Sequence, residues 1–212
     1  MTSHPEILIE ARVPRPDGHP PLREVHAVPL VDLVAAERAA AAFLRALGVD
    51  LHAESRRDTP ARMARAYAEL FAPRPFDLTT FPNDEGYDEM VLARSIPVQS
   101  VCEHHLLPFV GVAHVGYLPG ERILGLSKLA RVVELFARRP QVQERLTQQV
   151  ADWLQTRLHP RGLGVIIEAE HLCMSVRGVR TAGVSTITSA LDGHLRDDTA
   201  ARAEFFALAL HR

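Results

Sequence analysis

Ser100-Val101-Cys102-Glu103-His104-His105-Leu106-Leu107-Pro108 is a short polar turn between two segments with β patterning. Upstream of it Met90, Leu92, Ile96 and Val98 fall at strand spacing, with Pro97 marking an edge or a bulge. Downstream, Phe109 to Leu118 reads as a second strand closed by Pro119-Gly120. Two strands joined by so short a turn pair antiparallel. Next, Val132, Val133, Leu135 and Phe136 continue a helix that Ser127 is placed to cap. After the break at Arg139-Pro140 a longer helix carries Val142, Leu146, Val150, Trp153, Leu154 and Leu158 on one side. Leu163 to His171 reads as a third strand. A fourth is expected from Val176 through Val179 to Thr188, which is rich in valine and threonine, and a final helix from Thr199 to Leu210.

On the N-terminal side, residues 72 to 86 read as a proline-punctuated loop. Before it come two helices, one from Val31 to Leu47 ended by Gly48, the other opened by Asp58-Thr59-Pro60 and lined by Met63, Ala66, Tyr67, Leu70 and Phe71. Residues 1–29, with Pro5, Pro14, Pro16, Pro20, Pro21 and Pro29, read as a flexible arm. The expected organisation is an arm (1–29), a helical region (30–86) and a catalytic domain (87–212). Strand pairs separated by a helical pair predict an α+β fold with a four-stranded antiparallel sheet.

The turn sets a thiol, a carboxyl and two imidazoles in four consecutive positions, and His171-Leu172-Cys173 supplies the chain's second cysteine. Cys102 and His105 are three apart, so one tight turn can aim both at a point. Extended geometry would put Cys173 on the same side as His171. Two thiolates and an imidazole suit zinc better than calcium or magnesium. Three protein ligands leave a fourth position for a water whose pKa falls to roughly 7. His104 and His171 then stand beside the ion as proton carriers. Three other readings remain open on spacing alone: a disulfide, a pair of inert buried thiols, and a structural zinc with His104 or His171 as fourth ligand.

The rest of the composition bounds the function. The 212 residues are 47% hydrophobic with a formal charge of −2, which suits a compact domain and gives no global field towards nucleic acid or a membrane. Neither a bilayer-spanning run nor a secretory signal is read, so a cytoplasmic location is expected. There is no P-loop and no Rossmann fingerprint. Among 24 basic residues Lys128 is the sole lysine. It and Arg131 fall in the first turn of a helix, where cations oppose the helix dipole unless an anion such as phosphate joins them; a routine surface pair is the alternative. Arg62 and Arg65 share a helix face, which by itself reads as a solvated basic edge. Glu144 in a first turn by itself only complements the dipole.

Taken together, Cys102-Glu103-His104-His105, Gly125-Leu126-Ser127-Lys128, Arg138-Arg139-Pro140-Gln141-Val142-Gln143-Glu144-Arg145-Leu146-Thr147, His171-Leu172-Cys173 and Arg177-Gly178 closely resemble the GTP cyclohydrolase I family. The resemblance runs from about Val31 to the C-terminus. It implies a tunnelling (T) fold and conversion of GTP to 7,8-dihydroneopterin triphosphate and formate, the entry step to folate and pterin synthesis. It also implies a homodecamer of two face-to-face pentamers with intersubunit active sites. Carried over residue by residue, it implies zinc on Cys102, His105 and Cys173, and His171 and His104 as proton carriers. Ser127 and Gln143 would lie on the ribose and Glu144 on the guanine edge. Lys128, Arg131, Arg177, Arg62 and Arg65 would hold the triphosphate. Other T-fold enzymes fit less well, since a pterin synthase would want three histidines on zinc and a nitrile reductase a cysteine nucleophile without this set. A catalytically silent zinc-containing oligomer, or the same reaction feeding a specialised pterin or deazapurine pathway, are the competing readings.

Overall fold

The computed structural model describes residues 7–11, 22–26 and 31–211. Strands β1 (Ile7–Ala11) and β2 (Leu22–His26) pair antiparallel, and β2 continues onto the two-residue β3 (Phe76–Asp77). Apart from these two strands, the expected arm at 1–29 lies outside the described residues. Helix α1 (Leu33–Ala46) is capped by Asp32, whose carboxylate accepts the Ala35 amide at 2.9 Å, and beyond it Gly48 takes a positive φ of 78°. A 3₁₀ turn, Glu54–Arg56, precedes α2 (Thr59–Leu70), which carries Pro60 in its first turn.

The stretch expected as an unbroken loop at 72–86 holds β3 and also β4 (Thr80–Pro82), which pairs with β7 (Arg122–Leu124). These strands are too short to show a period, which is why the prolines dominated the reading. Between β4 and β7 the long hairpin forms as expected, from β5 (Val91–Cys102) and β6 (Pro108–Leu118). Its register shifts between Ala93 and Ile96, where Ser95 takes a φ of 56°, so the irregularity signalled by Pro97 is a bulge two residues earlier.

Helix α3 (Leu126–Ala137), the short β8 (Pro140–Gln141) and α4 (Gln143–Leu158) connect the hairpin to β9 (Gly162–His171). A single turn α5 (Leu172–Ser175) follows, then β10 (Ser185–Gly193), α6 (His194–Asp197) and α7 (Thr199–Leu210). The main sheet has the order β10-β9-β6-β5-β8, antiparallel except for β8, which lies parallel to the end of β5. The expected four-stranded sheet thus gains a fifth, two-residue strand. Three further expectations are corrected. The fourth long strand starts at Ser185 rather than Val176, because Gly178, Arg180 and Gly183 take positive φ and the intervening valines are exposed. Gly125, not Ser127, is the N-cap of α3, so Ser127 stands inside the first turn. Cys173 is not in extended chain: β9 ends at His171, and the thiol is brought round by α5.

The sheet is covered on both faces. On one, Val98, Phe109, Ala113, Val115, Val165 and Ile167 pack with Leu129, Val132, Val133 and Phe136 of α3 and Leu146, Val150 and Leu154 of α4. On the other, Ile166 meets Leu195, Phe205 and Ala209, as the two-residue period of β9 requires. Phe205, fully buried, sits over the paired glycines Gly116 and Gly164. A Cβ at Gly164 would stand 2.5 Å from the Phe205 ring. Gly164→Ala is therefore expected to cost about 1–3 kcal/mol by overpacking, read as a lower denaturant midpoint with unchanged slope. Adding Phe205→Leu should recover part of that loss; two strictly additive costs would show that the ring is not what the methyl meets.

Candidate metal centre and active site

The turn after β5 is built by its own backbone. The Cys102 amide donates to Leu107 O at 2.9 Å, and the amides of Leu106 and His105 return to Cys102 O at 2.8 and 3.4 Å. Leu106 takes a left-handed φ of 53°, and its carbonyl accepts the Tyr67 hydroxyl at 2.9 Å, tying α2 to the turn. From the other side β8 lies against the strand end, with Val101 opposite Pro140 and Cys102 opposite Gln141, and the Glu103 amide donates to Gln141 O at 3.0 Å. Arg145 clamps the same corner, pairing with Glu103 and donating to Gln141 Oε1 at 2.9 Å. The Arg145 hydrogen bond holds the Glu103 carboxyl below the usual carboxylate range.

This frame brings Cys102, His105 and Cys173 together, their ligand atoms all within 4.8 Å of one another. Both cysteines are free thiols and buried, while His105 is exposed, so the three form a cup at the surface. Cys102 Sγ lies 3.7 Å from His105 Nδ1. Zinc bonds of about 2.3 Å to sulfur and 2.0 Å to nitrogen, at tetrahedral angles, hold those atoms about 3.5 Å apart. The donor set and its spacing therefore fit a metal ion. Burial, and then the neighbouring Cys102 thiol, push the Cys173 thiol above its ordinary value, so ion capture must displace its proton.

The two remaining histidines have different surroundings. His104 is exposed, its Nε2 3.7 Å from Glu103 Oε1 and its Nδ1 3.9 Å from Cys102 Sγ. His171 is half-buried, stacked on Phe109 with ring centroids 4.6 Å apart, and bonded through Nε2 to Gln143 Oε1 at 2.7 Å. Burial lowers the His171 pKa and the Glu144 carboxylate opposes that shift. Glu144 itself is exposed, in the first turn of α4. Gln143, expected on the ribose, is 1% exposed with both ends of its amide engaged inside the protein.

Of the expected cations, Lys128 and Arg131 stand on α3 and Arg177 follows α5, where it donates to Cys173 O at 3.2 Å. Arg131 is held by Glu134 at 3.3 Å, and Arg74 clasps the same carboxylate at 2.6 and 2.7 Å. Arg62 and Arg65 are exposed on α2, Arg62 beside Asp58 at 3.5 Å, on the helix that Tyr67 ties to the turn. Sequence reading missed Tyr67, Glu134, Gln141 and Arg145 as site-building residues. Gln141 in β8 and Arg145 in the first turn of α4 are four apart in sequence but belong to different elements, so no helix periodicity marks the pair. Tyr67 meets a carbonyl far along the chain and leaves no local signal.

An α+β chain that closes two thiols and an imidazole into one cup, with two further histidines close by in the chain, has the build of a metal-centred enzyme. The GTP cyclohydrolase I family model matches residues 36–210. GTP cyclohydrolase 1 of Mycolicibacterium vanbaalenii is 55% identical over 186 residues, covering 85% of this chain and 92% of its own length. That of Streptomyces avermitilis is 57% identical over 182 residues, covering 84% and 90%. The chain belongs to the GTP cyclohydrolase I family.

Two outcomes are expected from the geometry. Cys102→Ala or Cys173→Ala should lose stoichiometric metal by elemental analysis, while His104→Ala retains it; metal lost from His104→Ala would make that histidine a ligand. At Glu134, burial raises the carboxyl pKa, but Arg74, Arg131 and Arg138 outweigh it and the net shift is downward. Its stabilising contribution is thus present above the unfolded value of about 4.3 and is lost as pH falls through the lower folded value. Glu134→Gln should flatten the fall of the unfolding midpoint below about pH 4.3; an unchanged acid limb would contradict this.

Proposed function

We propose that this protein is a zinc-dependent GTP cyclohydrolase that converts GTP and water to 7,8-dihydroneopterin triphosphate and formate, the entry step to folate and pterin synthesis. The observation that carries the reading is the convergence of Cys102, His105 and Cys173 inside the stretch matched to the family. Two thiolates with one imidazole favour zinc over oxygen-seeking ions. When bound, zinc supplies Lewis acidity that makes water a nucleophile near neutral pH.

The chain's own groups do the rest. His171 protonates guanine N7 as the imidazole ring opens after water adds at C8, and His104, backed by Glu103, carries a second proton. The Glu144 carboxylate accepts the guanine N1–H and amino group, two parallel donors that one carboxylate can take. Ser127, exposed in the first turn of α3, contacts the ribose as it rearranges. Lys128, Arg131, Arg177, Arg62 and Arg65 hold the triphosphate, with Glu134 fixing the Arg131 fork in place.

The family's T-fold accounts for four long antiparallel strands with a helical pair between the second and third. A homodecamer with intersubunit active sites is the expected assembly. Exposed Val34, Phe43 and Leu47 near the N-terminal helices, and Val176 and Val179 beside the metal cup, support burial against further copies. A reducing, cytoplasmic location is supported by two free cysteines. Among the described residues no helix is long and apolar enough to cross a membrane.

The purified protein given GTP should release formate and a fluorescent pterin in equal amounts, both lost on chelation and restored by zinc. Formate without the pterin would restrict the activity to ring opening. Neither product, with zinc bound, would favour a silent scaffold.

A further inference from the structure

Gln143 has a burial and a hydrogen-bond pattern that a ribose contact does not explain. Its Nε2 lies 3.0 Å from Ile167 O, 2.9 Å from Thr186 O and 3.2 Å from Thr188 Oγ1. Two of these are carbonyl oxygens, which only accept. Turning the amide over would set Oε1 against both, so Nε2 must face them and Oε1 must face His171. The His171 Nε2 at 2.7 Å from that oxygen therefore carries a hydrogen and donates. The order continues behind the amide. Thr147 Oγ1 donates to Gln143 O at 2.9 Å, so in the 2.7 Å contact between the two hydroxyls Thr188 is the donor and Thr147 the acceptor. Every direction in the chain from His171 to Thr147 follows from three backbone carbonyls, those of Ile167, Thr186 and Gln143. Phe109, stacked at 4.6 Å with planes 10° apart, sets the plane of the ring whose edge Gln143 holds.

We propose that Gln143 is a positioning residue for His171 and not a ribose contact. It commits the Nε2–H of His171 to the protein, so that Nδ1 is the nitrogen that takes up the second proton, forming the imidazolium, and passes that proton to the substrate. The tautomer of a histidine is set by the partner of its other nitrogen. This inference rests on the reading of His171 as the group that serves the guanine ring. It also relocates Gln143 within the reaction sequence, because an effect through His171 acts at ring opening, before formate leaves, whereas a ribose contact acts after it.

The test uses zinc-loaded protein, Gln143→Met and Gln143→Glu. In ¹⁵N-histidine spectra of the wild type, with the His171 signals assigned through His171→Asn, His171 should be the Nε2–H tautomer, and Gln143→Met should remove that single-tautomer pattern with zinc content unchanged. Gln143→Met should lower kcat by about 100-fold or more, the scale of a lost general acid, with formate and pterin falling together and the KM for GTP within about threefold. Gln143→Glu keeps an acceptor oxygen for Nε2 and, as the neutral acid whose O–H replaces the amide N–H towards the two carbonyls, should recover part of the formate release. An Nδ1–H tautomer in the wild type, formate retained with only the pterin lost, or a folded Gln143→Glu no better than Gln143→Met, would each overturn the proposal. Should Gln143→Met fail to fold, the wild-type spectra and Gln143→Glu still decide. Wild-type protein that binds zinc yet releases no formate would instead overturn the proposed function, and the tautomer would still report whether Gln143 holds His171.

Discussion

A two-residue parallel pairing, Pro140–Gln141 against Val101–Cys102, determines where the parts of the site stand. It joins the end of the hairpin that carries Cys102 to the chain that has just left α3 and is about to start α4. With that pairing made, Gln141 O holds the amide of Glu103, the Gln141 side chain reaches Phe136 O and Gln149, and Arg145 closes over Glu103. The first turn of α4 is thereby delivered beside the end of β9, which is how Gln143 meets His171. Ser100 reinforces the junction by donating to Ala137 O at 2.7 Å. Its buried hydroxyl satisfies a carbonyl at the end of α3 that the helix itself cannot.

The centre combines a rigid floor with an open rim. Below, Gln141, Gln143 and Thr147 are buried polar residues whose hydrogen bonds are met inside the protein. Such a network is costly when incomplete and specifies one arrangement when complete. Above, His104, His105, Ser127 and Glu144 are exposed. On the proposed reading, groups that exchange protons or meet the charged substrate lie at the rim, and groups that orient them lie in the floor. The two histidines follow this division: His171 is stacked and bonded at one edge, while His104 has a carboxylate 3.7 Å away and room to move.

Most long elements were legible in the sequence because each carries a full period of buried residues; β10 was not, since only Ala190 in it is buried and the valines ahead of it share its β-branched character. Thr199–Leu210 was read to the residue, and the hairpin, the helical pair and β9 to within a few residues. The short elements were not. β3, β4 and β8 are each two or three residues long, and their pairing is decided by what surrounds them. The metal cup was legible from three residues, although by a faulty step: Cys173 arrives by a helical turn rather than by the strand's alternation. The burial of Gln143 and Thr147 was illegible, since polar residues on a helix read as solvent-facing until the partner strands β9 and β10 are known to supply carbonyls and a hydroxyl.

The cup draws Cys102 from the end of β5, His105 from the turn after it, and Cys173 from α5, far along the chain. An ion bound there would act as a removable cross-link. A ligand that binds only the folded chain adds RT ln(1 + [L]/Kd) to its stability, about 2.7 kcal/mol at a hundred times Kd. Free metal then becomes a variable of the folding equilibrium as well as of the chemistry, so a cell short of the ion would hold a smaller amount of folded protein and not merely an idle one.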